Sequence, residues 1–218
     1  MSSKASSASV SIKACGHTGG NCLVAELDFD EGEVVLEETP LLEMLDTEVL
    51  AFRHSSHYAA VWSFAQECVG QEKIAMLLSL GLSEGAASSC KAEDLKRALE
   101  AEVPCSQNDD ALRFLVILMS NSFRFKGVNG KTTALFEIMS RANHSCDPNV
   151  RMIGDGWPGQ LIAVRPIQAQ EEILLCYGGW DTEFLKEPST ARQKYLSEHW
   201  GFQCKCVRCE REASIRTS

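Results

Sequence analysis

The sequence predicts an α+β protein, β-rich toward both ends, with a helical insert between and a cysteine cluster near the C-terminus. Three observations carry this. Short apolar runs broken by turn residues fill the stretch from Val10 to Met44 and return after Asn129. Helix-forming Ala, Leu, Glu, Lys and Gln dominate from about Asp46 to Val103. Cys204-Lys205-Cys206-Val207-Arg208-Cys209 then places three cysteines within six residues. The 218 residues suit one large domain or a domain with an appendage, long enough to bury a core without disulfides. A hydrophobic fraction of 44% with 23% charged residues is ordinary for a globular chain and argues against extensive disorder.

In chain order, Val10 and Ile12 alternate with polar neighbours. Cys22-Leu23-Val24-Ala25 and Val34-Val35-Leu36 are apolar runs of strand length. The insert reads as helices over Gln71–Leu82 and Lys91–Ala101, joined by a loop at Gly85-Ala86-Ala87-Ser88-Ser89. Ser106 followed by Asp109 is a helix start, and Asp109–Ser122 follows with a long apolar face. Asn129-Gly130 marks a tight turn. Strand candidates follow at Leu135–Ile138, Val150–Ile153, Leu161–Val164 and Ile173–Cys176, with a hairpin around Gly154–Gly159. Thr190–Trp200 is a final helix. The segmentation is 10–45, an insert over 46–107, then 108–180 and a terminal 181–210.

Net charge is −9, which argues against a protein that binds nucleic acid by neutralising phosphates. Ten acidic residues and no Lys or Arg lie between Glu26 and Glu48. Such a stretch is a solvated acidic face or a docking surface for a basic partner. Met1–Ser11 lacks the apolar core of a secretory signal, and the purest apolar run, Phe114–Met119, falls far short of the ~20 residues that span a bilayer. The expectation is an intracellular protein of nucleus or cytoplasm that engages no membrane and keeps its thiols reduced. Ten cysteines in that setting raise the question of metal.

A C-x-C-x-x-C turn can wrap one soft cation. A closed tetrahedral zinc site needs a fourth ligand from elsewhere. Cys146, in Asn143-His144-Ser145-Cys146-Asp147-Pro148-Asn149, is the best by sequence, with His144 as competitor. Closure on Cys146 would pin the chain's end to a loop about sixty residues upstream. Cys15, Cys22, Cys68, Cys90, Cys105 and Cys176 show no C-x-x-C spacing and read as small or incidental thiols.

Together these segments resemble a known family. Asn143–Asn149 is similar to the NHSCDPN signature of SET-domain protein lysine methyltransferases. Glu171-Glu172-Ile173-Leu174-Leu175-Cys176-Tyr177 resembles that family's E-E-(I/L)-x-x-x-Y segment, and the terminal cysteines resemble its post-SET zinc knuckle. Asn121-Ser122-Phe123 and Trp200-Gly201-Phe202-Gln203-Cys204 are most similar to the SET-and-MYND group. The likeness spans Val10 to Glu210, matching the insert only as helix.

The resemblance implies a β-rich SET fold of small curved sheets with a knot-like crossing. S-adenosylmethionine would be the methyl donor and a lysine of a protein substrate the acceptor, entering by a narrow channel. It implies Tyr177 as the catalytic residue that also touches the donor. Donor contacts would come from Asn143 and His144, from Asn21 at the amino-acid end, from Asn121, and from Phe202 on the adenine. Trp200 would line the lysine channel. Cys146, Cys204, Cys206 and Cys209 would hold one structural zinc. The reaction is an in-line displacement, so positioning supplies much of the catalysis, and a dry channel favours the neutral amine.

Several positions depart from the family pattern. Cys22 replaces the second glycine of G-N-G-L, Gln170 stands where glycine precedes the paired acids, and Trp200 stands where the group often has tyrosine. The insert offers only Cys68, Cys90 and Cys105, too few for a two-zinc MYND finger. These departures motivate an alternative, a catalytically weak SET-type zinc module that binds proteins. A cysteine hydrolase built on Cys146 and His144 would need a free thiolate, which zinc would consume.

Overall fold

The computed structural model describes residues 9–16, 20–45, 58–80, 96–97, 100, 108–127, 130–154, 156–179 and 183–216. The chain divides into two compact units. One comprises Met1–Glu38, Arg141–Ile153 and Gly159–Ser218, the other Thr39–Ser140 and Gly154–Pro158.

The first unit begins with β1 (Val10–Ala14) and β2 (Asn21–Ala25), antiparallel, with Lys13 opposite Cys22 and Ala14 opposite Asn21. Next, β3 (Val34–Glu38) forms an edge of a three-stranded sheet with β9 (Gly159–Ala163) in the centre and β8 (Val150–Ile153) beyond. Both pairings are antiparallel, and β8 and β9 form the expected hairpin, with Ile153 opposite Gln160. Leu23, Phe29, Leu36, Val150, Leu161 and Ile173 are each no more than 2% exposed, so these short strands are held by side-chain burial rather than by length.

The stretch from Glu171 to Tyr177 runs beside two partners. Val24 bridges Glu172. Farther on, β10 (Leu174–Leu175) lies parallel to β7 (Asn143–His144). Two residues make a weak ladder, and buried Asn149 reinforces it. Its side chain accepts from the Leu174 amide at 2.7 Å and donates to the Glu172 carbonyl at 2.7 Å and to Glu171 Oε1 at 3.0 Å. Gln170, just before, has φ 72°, the left-handed region that favours glycine. Its side chain donates to Glu26, which also accepts from Ser11 and pairs with Lys13. Those donors, Ser11 first, hold the Glu26 carboxyl down at about 2.

The second unit packs a sheet of order β4 (Leu42–Leu45), β6 (Gly130–Leu135) and β5 (Phe123–Gly127) with α1 (Tyr58–Val69), α2 (Gln71–Leu78) and α3 (Asn108–Asn121). Trp62, Leu77, Phe114, Ile117 and Leu135 meet in its core, with the Trp62 and Phe114 rings 5.5 Å apart. Asp109 and Asp110 lie in the first turn of α3, where the helix dipole favours negative charge. The expected strand over Leu135–Ile138 is displaced upstream, because Phe136 leaves the ladder and donates its amide to the Ser140 hydroxyl. Ser106, Asn129, the Gly85–Ser89 loop and most of Lys91–Ala101 lie outside the described residues. Cys90, Cys105 and the side chain of Cys68 do so as well.

The chain ends with α4 (Ser189–Trp200) and α5 (Val207–Arg216), both in the first unit. Gly201 closes α4 in the left-handed conformation at φ 72°. The second of these helices is absent from the sequence reading, which places all three cysteines in a turn. Cys209 instead sits in its first helical turn, and the Glu210 amide donates to the Cys206 carbonyl at 3.1 Å.

Among the described residues no helix is long and apolar enough to cross a membrane.

Candidate functional site

Four cysteines converge in the first unit. Cys146 comes from the loop after β7, Cys204 and Cys206 from the segment after α4, and Cys209 from α5. Their sulfurs all lie within 4.8 Å of one another, with Cys146 and Cys209 at 3.6 Å. Tetrahedral zinc with bonds of about 2.3 Å spaces its sulfurs about 3.8 Å apart, so the donor set fits such an ion. Cys146, Cys204 and Cys209 are buried and Cys206 is half-buried. Hydrogen bonds from the Cys146 and Cys204 thiols hold Cys206 well below the usual thiol range. Cys204 and Cys206, together with burial, push the Cys146 thiol up.

Arginine and glutamine side chains brace this cluster. Arg192, 1% exposed, donates to Cys209 Sγ at 3.7 Å, to Glu212 and to the Glu187 carbonyl. Arg208 donates to the Cys146 carbonyl at 3.0 Å and the Leu185 carbonyl at 2.7 Å, tying the upstream loop to α5. Gln193 accepts from the Cys204 amide at 2.7 Å and donates to its carbonyl at 2.6 Å. Sequence reasoning did not single out these three side chains. Nothing in their spacing marks them, since each acts only across the tertiary contact.

His144 joins the sulfurs to Tyr177. Its Nδ1 accepts from the Tyr177 amide at 3.0 Å, which leaves the proton on Nε2, 3.3 Å from Cys146 Sγ. Burial holds the imidazole down at about 4, so it is neutral at physiological pH. It therefore stands behind Cys146 as a donor to sulfur, and the four thiols form the cluster without it.

Tyr177 donates its hydroxyl to the Ala142 carbonyl at 3.0 Å. Burial pushes its pKa above the ordinary phenol value, so it remains protonated. Around it lie His144 at 5.3 Å, Trp200 at 5.4 Å and Phe202 at 6.3 Å between ring centres, and His144 and Phe202 lie 5.9 Å apart. These rings make a half-buried aromatic wall packed on the sulfur cluster. Gly178, next in the chain, has no room for a side chain. A Cβ there would lie 2.3 Å from the Phe184 ring. Gly178→Ala is expected to lower stability by about 1–3 kcal/mol, measured by thermal unfolding, because the ring must move.

Asn143, beside His144 on β7, donates to Glu172 Oε1 at 2.8 Å and approaches the Asn21 carbonyl at 3.4 Å. Asn21 and Asn143 thus belong to one neighbourhood, together with Glu172, which the sequence reading quoted only as part of a motif. Cys15 and Cys22 are there too, both reduced. Burial first, then the neighbouring Cys15 and Glu172, push the Cys22 thiol up to about 11. Asn121 lies in the other unit, where its amide donates to the Ile117 carbonyl at 3.3 Å and the Ser120 hydroxyl at 2.9 Å.

Known proteins match this chain at several levels. It is 36% identical over 99 residues to the SET domain and MYND-type zinc finger protein 6 of Schizosaccharomyces pombe, covering 45% of this chain and 18% of that protein. It is 41% identical over 76 residues to histone-lysine N-methyltransferase SMYD3 of Mus musculus, covering 35% and 17%. Histone-lysine N-methyltransferase set5 of Schizosaccharomyces pombe is 39% identical over 101 residues, covering 45% and 29%. The matches thus span less than a third of each of these relatives. A crystal structure of the SET domain of LSMT bound to lysine and AdoHcy shares the fold at a TM-score of 0.52 and 16% identity, over 94% of this chain and 54% of that one. The family model described as SET domain matches residues 20–178, most of the chain. With its β-rich fold and the Asn143–Asn149 and Glu171–Tyr177 segments, the protein belongs to the SET-domain family.

Proposed function

We propose that this protein transfers a methyl group from S-adenosylmethionine to the ε-amine of a lysine on a protein substrate. The observation that carries this reading is the placing of Tyr177 against His144, Trp200 and Phe202, within a chain of the SET-domain family. S-adenosylmethionine, when bound, supplies an electrophilic methyl on a sulfonium.

The chain's own residues supply the positioning. The Tyr177 hydroxyl points its proton at the Ala142 carbonyl, so its oxygen lone pairs are free to accept from an incoming amine. A phenol held protonated does this without adding a negative charge. Trp200 walls the lysine channel beside that hydroxyl and excludes water, which favours the neutral, nucleophilic amine. Asn21 and Asn143 offer amide groups to the amino-acid end of the donor, His144 contributes its backbone, and Phe202 offers a ring face to the adenine.

In the same reading, Cys146, Cys204, Cys206 and Cys209 hold one structural zinc in a post-SET knuckle. The spacing of the sulfurs and the buried Arg192 support it. Phe202 lies two residues before Cys204, so the metal fixes where that ring stands. The relatives named for lysine methylation support an intracellular place of action in nucleus or cytoplasm.

The test is incubation of the full chain with isotopically labelled S-adenosylmethionine and an array of lysine-containing proteins, histones included. Label on a lysine side chain is the expected result. Donor binding with no transfer to any lysine would overturn the enzyme reading in favour of a protein-binding module.

A further inference from the structure

We propose that Cys15, Cys22 and Glu172 form a second metal site, separate from the four-cysteine cluster, for one thiophilic divalent cation of the zinc class.

The backbone brings these residues to one face. Lys13 pairs with Cys22 and Ala14 with Asn21, and the Cys15 amide donates to the Gly20 carbonyl at 2.7 Å, continuing the ladder. Side chains alternate along a strand, and paired residues share a face, so Cys15 and Cys22 project together. Val24, two residues past Cys22, bridges Glu172, which sets that carboxylate on the same face. Cys15, Cys22 and Val24 form one buried cluster there. The cysteines are 5% and 7% exposed.

The donor atoms suit a metal. Two sulfurs and one carboxylate oxygen lie within 4.8 Å of one another, and Cys15 Sγ is 4.0 Å from Glu172 Oε1. Tetrahedral coordination with bonds of about 2.0–2.3 Å asks for separations of about 3.5–3.8 Å, reached by small side-chain rotations. Two thiolates with a carboxylate are a borderline-soft set, matched to zinc rather than to calcium or magnesium. Asn143 donates to Glu172 Oε1 at 2.8 Å and so orients the carboxylate, the kind of support that ligands of bound metals receive. Binding would displace the two thiol protons to solvent and leave one coordination position open for water. The four-cysteine cluster, in contrast, is closed.

A disulfide is the competing fate of two neighbouring thiols, and the register disfavours it. Cys15 and Cys22 are diagonal rather than directly opposed, and diagonal partners lie about 7–8 Å apart. Disulfides need Cα separations of about 4.4–6.8 Å. A cation between the sulfurs bridges the wider gap.

The test compares metal content by mass spectrometry in wild-type protein, Cys15→Ala and Cys22→Ala, each loaded with zinc and freed of excess. One zinc per chain fewer in each variant than in wild type is expected, whatever the four-cysteine cluster holds. Circular dichroism checks that the variants are folded. Glu172→Gln keeps both thiols and is expected to bind Cd²⁺ roughly tenfold more weakly or worse, read from sulfur-to-metal absorbance. Equal zinc in wild type and the folded cysteine variants would overturn the proposal. So would a native mass showing the two thiols oxidised to a disulfide while zinc content matches that of the variants.

Discussion

Tyr177→Phe is expected to lower methyl transfer roughly 100- to 1,000-fold while leaving donor binding within a few fold, by analogy with the loss of one preorganised polar group at a reacting centre. The substitution removes one oxygen and little else. The ring keeps its neighbours His144, Trp200 and Phe202, and the His144 contact is made to the Tyr177 backbone amide, which phenylalanine retains. What disappears is the hydroxyl aligned by the Ala142 carbonyl. Single-turnover transfer, compared with calorimetric donor binding, separates the two effects. Transfer at the wild-type rate would remove Tyr177 from the chemistry. Loss of donor binding along with activity would show that the hydroxyl supports the pocket rather than the amine.

Cys206→Ser is expected to release the zinc proposed for the cluster, to cost about 4 kcal/mol or more of stability, and to abolish donor binding. Cys206 is one of four sulfurs that lie within 4.8 Å of one another, so its loss leaves only three donors for a tetrahedral ion. Without the ion, Cys146 and Cys209 lose the link between the loop after β7 and α5, and Phe202 loses its fixed position. The substitution also leaves the buried Arg192 guanidinium beside a cluster that has lost its charge. Metal content, thermal unfolding and donor binding measured on one preparation check the chain of effects. Zinc content and melting temperature equal to wild type would exclude Cys206 as a ligand.

These expectations draw on features of unequal legibility in the sequence. The three terminal cysteines announce themselves by spacing, because a short segment confines their sulfurs to a small volume. The strands at Val10–Ala14, Val34–Glu38 and Val150–Ile153 were legible from short β-branched apolar runs. The helix Val207–Arg216 was not. Half of its residues are charged, and it forms where Arg208 and Arg192 find carbonyls and Glu212 across the fold. The strand expected at Leu135–Ile138 ends early for a similar reason. Phe136 is wholly buried, and a serine hydroxyl takes its amide from the ladder.

The sequence by itself determined the family, through two motifs whose residue types and order are improbable by chance, and it named the residues that gather around Tyr177. Only the tertiary structure decided which sulfurs meet and how each polar atom is used. Cys146 lies 58 residues before Cys204, and Glu172 lies 150 residues after Cys22. No local periodicity encodes such distances. It is register that decides them. Pairing Lys13 with Cys22 and Val24 with Glu172 turns two thiols and a carboxylate onto one face, and a slip of one residue would turn the strand's side chains to the other. The motif places His144 in the site, but the Tyr177 amide on its Nδ1 fixes the proton on Nε2 and turns it toward Cys146. Chemical identity is written along the chain, whereas direction and proximity arise only when the elements pair and pack.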